Sequence, residues 1–160
     1  MRNILMFASP LLVLAMPAAA QTMAPTDYVK AAGAGDMYEI QSSKLVLATT
    51  RDAKVQSFAD MMVKHHTKST ADVKAAAKRD RVAVAPPVLN AEQAGMIAEL
   101  RAATGPARDT AYVTQQKMAH DKALALHSSY ASGGTAPALK ATAAKIVPVV
   151  QSHIDMLAGM

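Results

Sequence analysis

The stretch VQSFADMMVKHHTKSTADVKAAA, residues 55–77, decides how this 160-residue chain is read. Its apolar residues recur at spacings of three, four and seven, which a helix advancing about 100° per residue gathers on one face. Val55, Ala59, Met62, Val63, His66, Val73 and Ala77 fall together, while Lys54, Asp60, Lys64, Lys68 and Lys78 fall opposite. One member of the apolar stripe does not belong there by polarity: His66 sits in its middle. His65 lies about 100° round the barrel, nearer Phe58 and Met61. A buried imidazole is tolerated where its nitrogens find partners, so this helix predicts a core with a chemical question inside it.

Signals on either side extend the helical pattern to the whole chain. Asp52 is placed to cap the helix beginning at Ala53, which the pattern carries to about Asp80. Upstream, Thr26 is a candidate cap for a helix running to about Ala48, with Gly33 and Gly35 weakening its early turns. Downstream, Val82 to Val88 with Pro86 and Pro87 breaks the pattern. Asn90 with Gln93 has the form of a capping box for a short helix ending near Gly105. Pro106 suits the first turn of the next helix, which Gly133 and Gly134 close. A last helix runs from about Pro137 to Leu157, with a kink expected at Pro148. No stretch alternates as a strand does. The chain therefore reads as all-α: four long helices forming a four-helix bundle, with a short extra helix between the second and third long ones.

The same face test applied to the other long helices repeats the anomaly. Glu39 lines up with Tyr28, Ala32 and Val46; His120 with Val113, Gln116, Leu124 and His127; His153 with Leu139, Ile146, Val149, Val150 and Leu157. Each long helix thus offers an ionisable group on its apolar side: Glu39, His66, His120 and His153. Bundles build metal sites in this way, from side chains on facing helices. Three neutral imidazoles and a carboxylate make a competent ligand set for zinc, copper or iron. Direct ligation would bring the ligating atoms within roughly 3–4 Å of one another. His65 and His127 are secondary candidates.

Two competing chemistries stand beside this reading. Buried histidines also serve as simple hydrogen-bonding groups, and a His66–Glu39 ion pair could fix helix packing without a metal. Met61 and Met62, one turn before His65 and His66, offer thioether sulfur that suits Cu(I), although methionines on apolar faces are ordinarily core filler. A carboxylate di-iron centre is disfavoured, because such sites use Glu-x-x-His and the residues three before His66 and His153 are Val63 and Val150. No cysteine nucleophile, phosphate-binding glycine loop or serine elbow is present. A metal-dependent redox enzyme would need an open coordination position and a channel to it.

Composition and the N-terminus fix the setting. Arg2, the apolar run Ile4 to Met16 and the triplet Ala18-Ala19-Ala20 form a secretory signal pattern, removed before Gln21. Residues 1–20 are thus expected to be a signal peptide and residues 21–160 one domain, periplasmic or secreted, with no membrane span after cleavage. The chain has no cysteine, so no lipid anchor on a cysteine is available and packing alone must hold the fold. Its formal charge is +5, from 17 basic and 12 acidic residues. The lysines are dispersed, with only Lys78, Arg79 and Arg81 clustered, whereas a nucleic-acid surface concentrates them in a stripe. An envelope protein or a second copy of the chain is the partner class that remains.

The residues Glu39 to Ala48, Val55 to Thr67 (VQSFADMMVKHHT), Asp109 to His120 (DTAYVTQQKMAH) and Ala138 to His153 (ALKATAAKIVPVVQSH) resemble the exported family called domain of unknown function 4142. The resemblance implies a ferritin-like four-helix bundle, a bacterial envelope location and a place in envelope stress physiology. It carries over Glu39, His66, His120 and His153 as recurring polar core positions. The family pattern has Asp before the second-helix histidine; this chain has His65 there, a departure that alters the surroundings of the site or adds a ligand.

Overall fold

Long runs of Ala, Leu, Lys and Met without strand alternation leave helix as the way to bury apolar side chains, and the computed structural model, which describes residues 22–160, is helical throughout them apart from turns and connections. The signal-peptide expectation for residues 1–20 lies outside the described residues. Five helices follow in order: α1 (Pro25–Leu47), α2 (Ala53–Arg79), α3 (Ala91–Ala102), α4 (Gly105–Gly133) and α5 (Pro137–Ala158).

The helix ends follow local chemistry. Asp52 caps α2 by accepting from the N–H groups of Lys54 at 2.8 Å and Val55 at 3.0 Å. Asn90 and Gln93 form the reciprocal capping box that opens α3. Helix α1 begins two residues earlier than Thr26 implied: Ala24 is its N-cap and Pro25 its first residue, where a missing N–H and a fixed φ cost nothing. Helix α3 ends at Ala102 rather than near Gly105, and Gly105 instead opens α4 with φ 53, a left-handed conformation that glycine adopts without strain. Gly134 closes α4 where a Cβ would lie 2.5 Å from the Tyr130 carbonyl and 2.7 Å from its ring, so no larger residue fits.

Helix α1 packs on α2 and α4 on α5, with α1–α4 and α2–α5 contacts closing the arrangement; α3 covers α1 and α4. The apolar interior is divided in two. At one end Tyr28, Ala32, Val73, Ala77, Tyr130 and Leu139 cluster; at the other, Val46, Phe58, Met62, Leu100, Tyr112 and Leu157. Along each of the four long helices, buried polar residues stand between these two groups: Asp36 and Glu39 in α1, His66 in α2, Gln116 and His120 in α4, His153 in α5. The fold thus clamps a polar layer between two dry ends. Met62 belongs to the second cluster and Met61 packs against it, which is the core-filling role.

The stripe deduced for α2 holds, with Phe58 and Ala76 added to it and Val63 only partly buried. Two other stripes need rotation. On α5, Val149 is 41% exposed while Val150 is buried. On α4, Val113 and Leu124 are partly buried while Tyr112 and Gln115 are buried. The reason is that α4 faces α3 as well as the interior: the Gln115 amide accepts from Tyr38 at 3.0 Å and donates to Glu99 of α3 at 2.8 Å.

Candidate metal centre

Three of the four anticipated histidine and carboxylate positions meet at one point. His66, His120 and His153 each present one ligand nitrogen, all within 4.8 Å of one another. The three residues are buried, on α2, α4 and α5. Ligands of one zinc ion at about 2.0–2.1 Å sit about 3.3–3.4 Å apart, so the widest separation is looser than the 3–4 Å expected from ligation. A shared proton can draw two such nitrogens together, but three facing lone pairs repel and a cation between them would draw in all three.

What fixes each ring is its other nitrogen. His66 Nδ1 is 2.8 Å from Asp36 Oδ1, and Thr70 donates to the second oxygen of that carboxylate at 3.0 Å. His120 Nδ1 donates to the Gln116 carbonyl at 2.9 Å; a carbonyl only accepts, so in the neutral ring Nε2 carries the lone pair. That Nε2 is 3.2 Å from His153 Nδ1, and His153 Nε2 is 2.8 Å from His65 Nδ1. A consistent proton arrangement follows, with His65 donating to His153, His153 to His120 and His120 to the backbone. Moving the proton of His153 from Nδ1 to Nε2, where His65 then accepts it, presents Nδ1 to the centre. Carboxylate and carbonyl anchors on the remote nitrogen are what orients histidines that ligate metals.

Electrostatics separate the rings. Burial lowers His120, with the charge of Glu39 opposing it. Burial and then the neighbouring His120, His66 and His65 push His153 down to about 3. Both are therefore neutral at pH 7, the form that ligates. Burial also acts to lower His66, but its hydrogen bond to the Asp36 carboxylate and the charges of Glu39 and Asp36 outweigh it and raise the group.

Glu39 lies beside the cluster, its Oε1 3.8 Å from His120 Nδ1, too far for a hydrogen bond. Its Oε2 is buried without a partner, as is His66 Nε2. Orphaned buried polar atoms are costly; a cation held by the three histidines would satisfy His66 Nε2, while Glu39 stands outside the converging nitrogens, and the three-imidazole donor set fits a divalent transition metal. The pairing of His66 with Glu39 is replaced by His66 with Asp36. Asp36 was missed although it stands three residues before Glu39, hence on nearly the same face of α1. His65 contacts His153 from an exposed position. His127 is elsewhere, bonded through Nδ1 to the Tyr28 hydroxyl at 2.9 Å.

The family profile described as domain of unknown function (DUF4142) matches residues 13–160. No curated protein matches. A DUF305 protein from Streptomyces coelicolor has a TM-score of 0.69 at 13% identity, covering 82% of this chain and 86% of its own. A DUF305 fragment from Deinococcus radiodurans has a TM-score of 0.73 at 15% identity, covering 84% and 93%. These two likenesses speak to the fold alone.

Proposed function

The chain belongs to the domain of unknown function family DUF4142, and from that premise we propose that it is an exported, periplasmic protein holding a divalent transition metal inside a four-helix, ferritin-like bundle. In this reading residues 1–20 are the signal peptide, residues 21–160 the domain, and α3 an accessory to the four long helices. No helix of the described residues is long and apolar enough to cross a membrane. His66, His120 and His153 would hold the ion and Glu39 would complete or balance the set. The observation that carries the reading is the convergence of three imidazole nitrogens within 4.8 Å while Asp36 and the Gln116 carbonyl hold the far nitrogens of two rings. Bound there, the ion would supply Lewis acidity or, if copper or iron, electron transfer. Asp36, the Gln116 carbonyl and His65 keep the rings aimed, and the two apolar clusters hold the four long helices on either side of them.

A metal-free packing role rests on one specific observation, that His120 and His153 already pair at 3.2 Å. It leaves His66 Nε2, one of the converging nitrogens, without a partner, which is why metal binding is preferred. Protein purified from the periplasm without an affinity tag should carry about one zinc, copper or iron ion per chain by elemental analysis. Metal-free protein that also gains no thermal stability from Zn²⁺, Cu²⁺ or Fe²⁺ returns the cluster to the packing role.

A further inference from the structure

Two openings approach the histidine layer from different sides, and their charges are opposite. A cavity of about 790 Å³ between α1, α3 and α4 is lined by Asp27, Asp36, Glu39 and Glu92 against Lys30 and Lys122. A cleft of about 400 Å³ between α2 and α5 is lined by Lys68, Arg79 and Lys145 against Asp72. His66 lines both; His65 and His153 line only the cleft. Among the described residues Lys68 pairs with Asp72, but no ion pair involves Arg79 or Lys145. The Ser69 hydroxyl, also in the cleft, is buried without a partner.

We infer that the α2–α5 cleft is a small-anion site that opens onto the metal centre, taking an inorganic anion or short carboxylate through Arg79, Lys145 and the Ser69 hydroxyl. The inference rests on the metal-binding reading. A cleft with an excess of one sign of charge and apolar walls concentrates ions of the other sign; here Arg79 and Lys145 are left over once Lys68 pairs with Asp72, and Ile146, Val149 and Val150 supply the walls. The acidic cavity repels anions and attracts cations by the same rule, so the two sides of the layer are matched to the two components of a metal–anion complex. His153, a member of the centre, lines the cleft and not the cavity, so the cleft reaches the three-histidine site from its side. Ser69 supplies a donor that otherwise has nothing to bond.

The test is a titration of Co²⁺-loaded protein with azide, formate and formamide, followed in the visible spectrum of the ion. Azide and formate should change the spectrum saturably, and formamide, which matches formate in shape but is neutral, should not. The double variant Arg79→Ala/Lys145→Ala changes exposed residues only; it should weaken azide binding about tenfold and leave Co²⁺ affinity unaltered. Lys30→Ala/Lys122→Ala removes the same charge from the acidic side and should leave azide affinity within about twofold. Co²⁺ binding without an anion response, or equal loss in both double variants, overturns the anion site alone. Failure to bind Co²⁺ at all overturns the metal reading and this one with it.

Discussion

His127 and His153 are both buried imidazoles held far below the usual histidine range, His127 at about 4 and His153 at about 3. Their surroundings differ in kind. His127 stands at the tyrosine-lined end of the core, where the Tyr28 hydroxyl meets its Nδ1 at 2.9 Å and the Tyr28 ring stacks on Tyr130 at 3.9 Å. His153 stands in the polar layer with His120, His66 and His65 around it. Burial and a lowered pKa therefore mark a histidine that stays neutral, which both are. They do not mark a ligand. That distinction lies in whether several lone pairs converge and whether something anchors the rings that carry them.

The largest effect that sharpens the contrast comes from Tyr28→Ala. Removing a fully buried aromatic ring should cost about 3–5 kcal/mol, measured by urea unfolding, yet leave the gain in melting temperature on adding Zn²⁺ intact. A Zn²⁺ gain that disappears in a still-folded variant would show that the tyrosine end and the polar layer act as one unit.

Next in size is an acid effect at His127. The unfolded imidazole takes its proton near 6.5 and the folded one only near 4. The folded state therefore holds its full advantage above pH 6.5 and loses it as pH falls through 4, a change of about 3 kcal/mol. His127→Gln keeps a hydrogen-bonding partner for Tyr28 but cannot titrate. Its stability between pH 6.5 and 4 should fall less than that of wild type by about that amount; parallel curves would place the acid sensitivity elsewhere.

The smallest effect is also the most specific to the polar layer. Asp36→Asn removes the charge that anchors His66 Nδ1 and should weaken Zn²⁺ binding about 10–100-fold without abolishing it. Unchanged affinity would mean that the Asp36–His66 pair serves packing only.

The regions also differ in how far they could be read in advance. The helix α2 face, the Asp52 cap and the Asn90–Gln93 box were legible because each depends on residues within one or two turns. Glu39, His66, His120 and His153 were legible as polar intrusions on apolar stripes for the same reason. The partner of His66 was not. Whether Asp36 or Glu39 meets it depends on the rotation of α1 against α2, which spacing along one helix does not set. Thr70, which holds the second oxygen of Asp36, was invisible because a threonine on a half-exposed helix face carries no signal. The exposure of Val149 and the burial of Gln115 likewise follow from how neighbouring helices pack.

The central claim is tested most directly by calorimetric titration of Zn²⁺ into wild type, His127→Gln and His120→Ala at pH 7. Wild type and His127→Gln should each take up about one ion per chain with similar affinity, and His120→Ala should take up none. Equal binding by His120→Ala and wild type, or no binding by any of the three, would contradict the account.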